Sequence, residues 1–210
     1  MTRSYMDNSP RNRTMTFSGK GQVYAAPDTA VIRLGTQTTG SNLVEIQSAN
    51  ATIMQTIIQV LQRMGVTNVK TYQYSIDKLY DYENGRQIDR GYSVRNIVEI
   101  RTSNMDMAGN IIDASVNAGA NVVELIAFEA SNMEMYYQQA LNLAVLNAMQ
   151  KASSVAMNLR LGSEPEIVKI TENSPFPVQP YQREALFAAP TPIIPGELLV
   201  EAYVTAEFIF

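Results

Sequence analysis

Two glycines one strand period apart, followed by a Pro-Asp pair, constrain this chain more than any other stretch. In Gly19-Lys-Gly21-Gln-Val23-Tyr-Ala-Ala-Pro27-Asp28-Thr-Ala30-Val-Ile32, apolar residues alternate on both sides of Pro27-Asp28. That is the period of a strand with one buried face. Glycine inside such a run marks a bulge or a close approach by another backbone. Proline fixes its own φ, and an Asp side chain accepts from nearby amides, so Pro27-Asp28 suits the corner between two strands. A phosphate loop is the competing reading of Ser18-Gly19-Lys20-Gly21, but that loop needs longer spacing and a strand-to-helix junction. Here the glycines fall inside a strand.

The same period recurs down the chain and alternates with helical spacing. Strands are predicted over 14–26 and 29–39, then a helix capped by Ser41 that carries Leu43, Ile46, Ile53, Met54, Ile57, Ile58, Leu61 and Met64 and stops at Gly65. Two long strands, 67–82 and 88–102, flank Glu83-Asn84-Gly85-Arg86, and Asn-Gly between alternating runs is the strongest short-range hairpin signal. A short helix over 104–118, a strand over 121–129, a long helix over 132–160 capped by Ser131 and stopped by Gly162, and a strand over 165–172 follow. Residues 173–196 hold six of the nine prolines and are predicted as an extended surface loop. The chain closes on an alternating apolar strand over 197–210.

The order β-β-α-β-β-α-β-α-β-β predicts an α+β fold with three helices on a mixed, mainly antiparallel sheet. Residues 1–13 form a short arm with Arg3, Arg11 and Arg13, and 14–210 a single domain, with 66–118 a possible hairpin-helix excursion.

Composition removes function classes. Of 210 residues 46% are apolar and 17% charged, the net charge is −4, and no block of like charges occurs, which disfavours both disorder and sequence-independent nucleic-acid binding. There is no Cys, His or Trp. Without Cys or His there is no disulfide, thiolate nucleophile, imidazole base or Cys/His zinc site. No apolar run reaches the ~20 residues a membrane helix needs. The N-terminal arginines have no apolar run behind them, which sets the expectation of a cytoplasmic protein.

Several segments together carry a resemblance. Gly19-x-Gly21-x-Val23 with Pro27-Asp28-x-Ala30 and the strand Gly119-Ala-Asn-Val-Val-Glu-Leu-Ile-Ala-Phe128 come first. The alanines Ala140, Ala144, Ala148, Ala152 and Ala156, the run Leu159-Arg160-Leu161-Gly162, and the strands Ile167–Glu172 and Leu199–Val204 complete the set. In this order, over about 15–210, they resemble the SIMPL-domain family. The family often carries an arginine where this chain has Gln139, and its members commonly have an export signal. The resemblance implies no established catalytic residue, and no cofactor or metal is expected. It implies an envelope or extracellular location as the alternative to the cytoplasm, and an assembling habit, since at least one member forms a ring-like, channel-shaped homo-oligomer.

Candidate sites are therefore surfaces. The hairpin tyrosines Tyr72, Tyr74 and Tyr92 suit cross-strand pairs, subunit contacts or, less well, a stacking platform for a ligand. Phe176, Tyr181 and Phe187 interleave the proline loop. Phe208 and Phe210 sit on a final strand that would be an aggregation hazard unless covered by its own chain or by another subunit. Asp77, Asp81, Asp89, Glu164 and Glu166 match no calcium loop and are expected on solvated strand edges. The expectation is a non-enzymatic protein that self-assembles into a homo-oligomeric ring, channel-like shell or filament, in the envelope or in stress protection. The alternative is a stress-response module that binds a small ligand or peptide in a groove beside the tyrosine hairpin. A hydrolase is a weaker third, since no nucleophile–base pair can be named.

Overall fold

Each alternating run becomes a strand and each run of helical period a helix. The order is β1 (Thr14–Ala25), β2 (Thr29–Gly40), α1 (Leu43–Arg63), β3 (Val69–Glu83), β4 (Arg86–Thr102), α2 (Ala108–Asn117), β5 (Val122–Glu129), α3 (Met133–Leu159), β6 (Glu166–Asn173) and β7 (Leu198–Ile209). A single 3₁₀ turn, Met105–Met107, leads into α2. The computed structural model describes residues 14–173, 193 and 195–210. The α+β class and the element order are as expected. The sheet expected as one is two, and the described residues fall into two compact units: 14–25 with 132–173 and 199–210, and 26–131 with 193 and 195–198.

The first unit is a three-stranded sheet, order β1-β7-β6, with α3 packed on β1. Ala140, Ala144, Ala148, Ala152 and Ala156, four residues apart, form the buried row of α3. Methyl-sized side chains let backbones approach, and the glycines of β1 complete the contact. A Cβ on Gly19 would lie 1.9 Å from the Ala144 carbonyl oxygen, and one on Gly21 1.9 Å from that of Ala140. The Lys151 ammonium donates to the Ser18 carbonyl at 2.7 Å, and Asn147 Oδ1 accepts from the Lys20 amide. β7 is the central strand, with Val200, Ala202, Val204, Ala206 and Phe208 buried. It is flanked on both sides, by β1 and β6, so the final strand is an interior strand of its sheet.

The second unit is a fully antiparallel sheet, order β3-β4-β2-β5. Ala30, Ile32 and Leu34 of β2 and Val98 and Ile100 of β4 meet Met54, Ile57 and Leu61 of α1 and Ile111 and Ile112 of α2 in one core, and Ile193 packs against it. Asn50 lies in the buried row of α1 and donates through Nδ2 to the carbonyls of Thr36 (3.3 Å) and Val94 (3.0 Å), tying the helix to two strands. The hairpin turn is where it was expected. Asn84 (φ 50°) and Gly85 (φ 77°) are both left-handed, as a two-residue hairpin loop of right-handed strand twist requires.

Two helix caps differ from expectation by one residue. Asn42, not Ser41, caps α1, its Oδ1 accepting from the Val44 and Glu45 amides while its Nδ2 donates to Glu45. Asn132, not Ser131, caps α3 through the Met135 amide. In each case the asparagine stands next to the first helical residue and its amide oxygen reaches the free N–H groups. At the far end of α3, Arg160 rather than Gly162 takes the left-handed cap (φ 51°).

Candidate functional site

Among the described residues of the second unit, the strand order leaves β3 flanked on one side only, by β4. Its fifteen residues, rich in tyrosine and alternating, carry Tyr72 and Tyr74, each about half exposed, and the still more open Tyr82. A bulge between Thr71 and Gln73 leaves Tyr72 outside the register. The guanidinium carbon of Arg33 stands over its ring, 3.8 Å from the centroid, a cation–π contact that holds the ring on that face. Tyr74 pairs with Asn96, which pairs with Thr36, on the face that carries α1. Tyr72 and Tyr74 thus occupy opposite faces. Tyr92 is half buried, opposite Lys78, whose ammonium stands 5.7 Å from its ring. The groove beside the start of β3 is walled by Ile58, Gln62, Val66, Lys70, Thr71 and Val98, and none of the three tyrosines lines it.

The face of this sheet opposite α1 and α2 carries a charge ladder that sequence reasoning missed. Lys70, Glu99 and Arg33 are direct cross-strand partners on β3, β4 and β2. Glu99 is 3% exposed, and its carboxylate accepts from Arg33 (2.8 and 2.9 Å), Lys70 (3.0 Å) and Arg101 (3.1 Å), while Arg101 reaches on to Glu129 at 2.8 Å. Burial alone would raise the Glu99 pKa. The hydrogen bonds from Lys70, Arg33 and Arg101, with the charge of Lys70, outweigh it and hold the group at about 2. A carboxylate so stabilised is a poor general base near neutrality, because its proton affinity is far below the working pH. The ladder locks strand register. Its one sequence signal was Arg95, Glu99 and Arg101, three charges on one face of an otherwise apolar strand, interrupted at Ile97.

The Pro-Asp corner is a clasp. Asp28 accepts from the Ser131 amide (2.9 Å), the Ser131 hydroxyl (2.6 Å) and the Thr29 hydroxyl (2.9 Å), and its own N–H donates to the Glu129 carbonyl. The donors from Ser131 and Thr29 lower its pKa. Ser131, expected as a helix cap, serves this clasp instead.

The remaining candidates are placed as follows. Asp89 pairs with Lys78 (2.9 Å) and Asp81 with Arg90 (3.3 Å), Asp77 accepts from Ser75, and Glu164 and Glu166 belong to the other unit. Among the described residues, no three acidic side chains lie close enough together to hold a metal ion. Phe208, expected at a subunit contact, is fully buried with Phe17 edge-on at 6.0 Å, so it packs the interior of its own unit. Phe210, one residue past β7, is half buried. Phe176, Tyr181 and Phe187 lie outside the described residues, as does the 1–13 arm. No described helix is long and apolar enough to cross a membrane.

Comparison with known proteins gives a consistent result. The family model described as SIMPL, protein of unknown function (DUF541), matches residues 15–208. A 26 kDa periplasmic immunogenic protein of Brucella melitensis biotype 1 is 28% identical over 198 residues, covering 87% of this chain and 79% of that protein. The protein of the same name from Brucella abortus strain S19 matches equally. The uncharacterized protein YggE of Escherichia coli K12 is 23% identical over 149 residues, 70% of this chain and 61% of that one. The Brucella relatives overturn the cytoplasmic expectation. They are named periplasmic, and they point to the cell envelope.

Proposed function

The chain belongs to the SIMPL family of proteins of unknown function, and from that premise we propose that it is a non-enzymatic, self-assembling protein of the bacterial envelope. Its work is done by homo-oligomeric contacts rather than by a reaction centre. The observation that carries this reading is the edge of β3, a fifteen-residue, tyrosine-rich strand with one neighbour among the described residues. A long edge of this kind templates strand addition unless something covers it. Tyrosine supplies contact area at interfaces and keeps its hydroxyl solvated. The two ends of the sheet, β3 and β5, are unlike each other. Contacts between unlike edges are head-to-tail, and they generate rings when the rotation closes and filaments when it does not.

The ligand-groove alternative is less favoured. It needs the hairpin tyrosines on a common wall, and Tyr72 and Tyr74 lie on opposite faces.

The test is particle mass by light scattering at micromolar concentration, for the natural chain and for Ile76→Lys. Ile76 is exposed on β3, and a charge there blocks edge pairing without touching the core. A multiple of the 23.3 kDa chain that shrinks in the variant, with unchanged circular dichroism, is expected. A natural chain that is strictly monomeric would sink the proposal.

A further inference from the structure

The second sheet ends in two edges that complement each other. Its strands alternate in direction, so among the described residues the outer strands β3 and β5 run opposite ways. A copy added end to end, with its helices on the same side, sets its β5 antiparallel to β3. The hydrogen-bonding pattern inside the sheet then continues across the joint.

Charge selects where on β3 that strand sits. The ladder alternates in sign from one edge to the other: Lys70 on β3, Glu99 and Arg101 on β4, Glu129 on β5. It begins on an exposed cation and ends on an exposed anion, so the end of one ladder meets the start of the next as an opposite pair. The eight residues of β5 carry only acidic charges, Glu124 and Glu129. The first eight residues of β3 carry only Lys70, whereas the last seven include Asp77, Asp81 and Glu83. An acidic edge fits the first part and is repelled by the second.

The bulges supply the register. Tyr72 is the extra residue of β3 and stands with Gln73 on the ladder face. Glu124 is the extra residue of β5 and reaches Arg95 on that same face, beside Leu125, the partner of Arg33. A sheet continues only where opposed side chains share a face. With Lys70 set against the second copy's Glu129 and both extra residues passed over, every opposed pair does so. Ser75 then meets Leu125 on the ladder face, and on the helix face Ile76 meets Val123, covering two apolar side chains that are 41% and 43% exposed. A slide of two residues parts both Lys70 from Glu129 and Ile76 from Val123.

We propose that the occupant of the β3 edge is the β5 edge of a second copy of this chain, antiparallel, with Lys70 against Glu129 and Ile76 against Val123. This pairing rests on the assembly reading and deepens it by naming the partner strand and its register. Each subunit gives one edge and receives the other, so one sheet runs through the particle.

The chain has no cysteine, so the full chain carrying both Ile76→Cys and Val123→Cys has two thiols, both at exposed positions. Within one chain they lie three strand spacings apart, about 14 Å, too far for a disulfide. Under mild oxidation at micromolar concentration the double variant should form a ladder of covalent multimers on a non-reducing gel, with circular dichroism unchanged. It should do so about a hundredfold faster than either single variant forms dimer, since a held thiol sees its partner at millimolar effective concentration. Rapid covalent dimer from Ile76→Cys alone would mean that β3 meets β3, which overturns the β5 pairing and leaves assembly through β3 standing. A double variant that stays uncrosslinked in a particle that is still large also overturns the pairing and leaves assembly standing. A monomeric natural chain overturns both.

Discussion

Glu99 shows at a single residue how this fold uses charge. A carboxylate removed from water is costly unless its lone pairs are filled, and three cations on three strand positions fill them. Its pKa in the folded state, about 2, lies below the ordinary 4.5, so the folded form binds this proton less well than the unfolded chain. The stabilisation is therefore complete above about pH 4.5 and is lost as the pH falls toward 2, with a total of order 3 kcal/mol. Urea unfolding of Glu99→Gln should show that deficit at pH 7, and the gap from the natural chain should narrow steadily between pH 4.5 and 2. A gap independent of pH over that window would place the cost in packing instead. Glu99 was hard to find in the sequence because its alternation is that of any strand. What distinguishes it is the register that puts Lys70 and Arg33 beside it, and register depends on pairing across 29 and 66 residues of chain.

At the scale of elements, the contact of β1 with α3 is made by what the side chains lack. A methyl group on Gly21 would sit 1.9 Å from a carbonyl oxygen of the helix backbone, which cannot swing aside as a side chain can. Gly21→Ala should therefore push the strand and helix apart and cost about 3 kcal/mol, at the upper end of overpacking. Ser18→Ala, on the exposed face of the same strand, should change thermal unfolding little. This pairing was half legible. Gly19 and Gly21 announced a close backbone approach and the alanine row a close-packed face, but nothing local said that each was the other's partner, about 120 residues away. Strands, helices and their order follow from short-range periodicity. The division into two sheets does not, because β2 and β1 alternate alike, and only their long-range neighbours, β4 and β5 in one case and β7 in the other, separate them. The caps slipped by one residue for a local reason, since Ser41-Asn42 and Ser131-Asn132 each offer two competent residues in a row.

For the whole molecule, the exposed edge of β3 predicts how assembly comes apart. Ile76→Lys should shift the sedimenting mass toward that of the single 23.3 kDa chain. Sedimentation velocity reads the mass, and an unchanged particle in the variant would mean that β3 is not the contact. Which candidate tyrosines face together was not legible beforehand, because one bulged residue at Tyr72 moves its ring to the other side of the sheet.

The glycine–alanine contact has a consequence beyond packing. The inner side of α3 meets β1 through main chain and methyl groups, and besides them, among the described residues, only Lys151 and Asn147 tie the helix to that strand by hydrogen bonds. The helix is a plate glued along its back, with its front free to be rewritten. A new recognition pattern could be written at Leu143, Leu146, Gln150, Ser153 and Met157 without disturbing the alanines, Asn147 and Lys151 that hold the helix down, which makes this scaffold a natural starting point for designed assemblies.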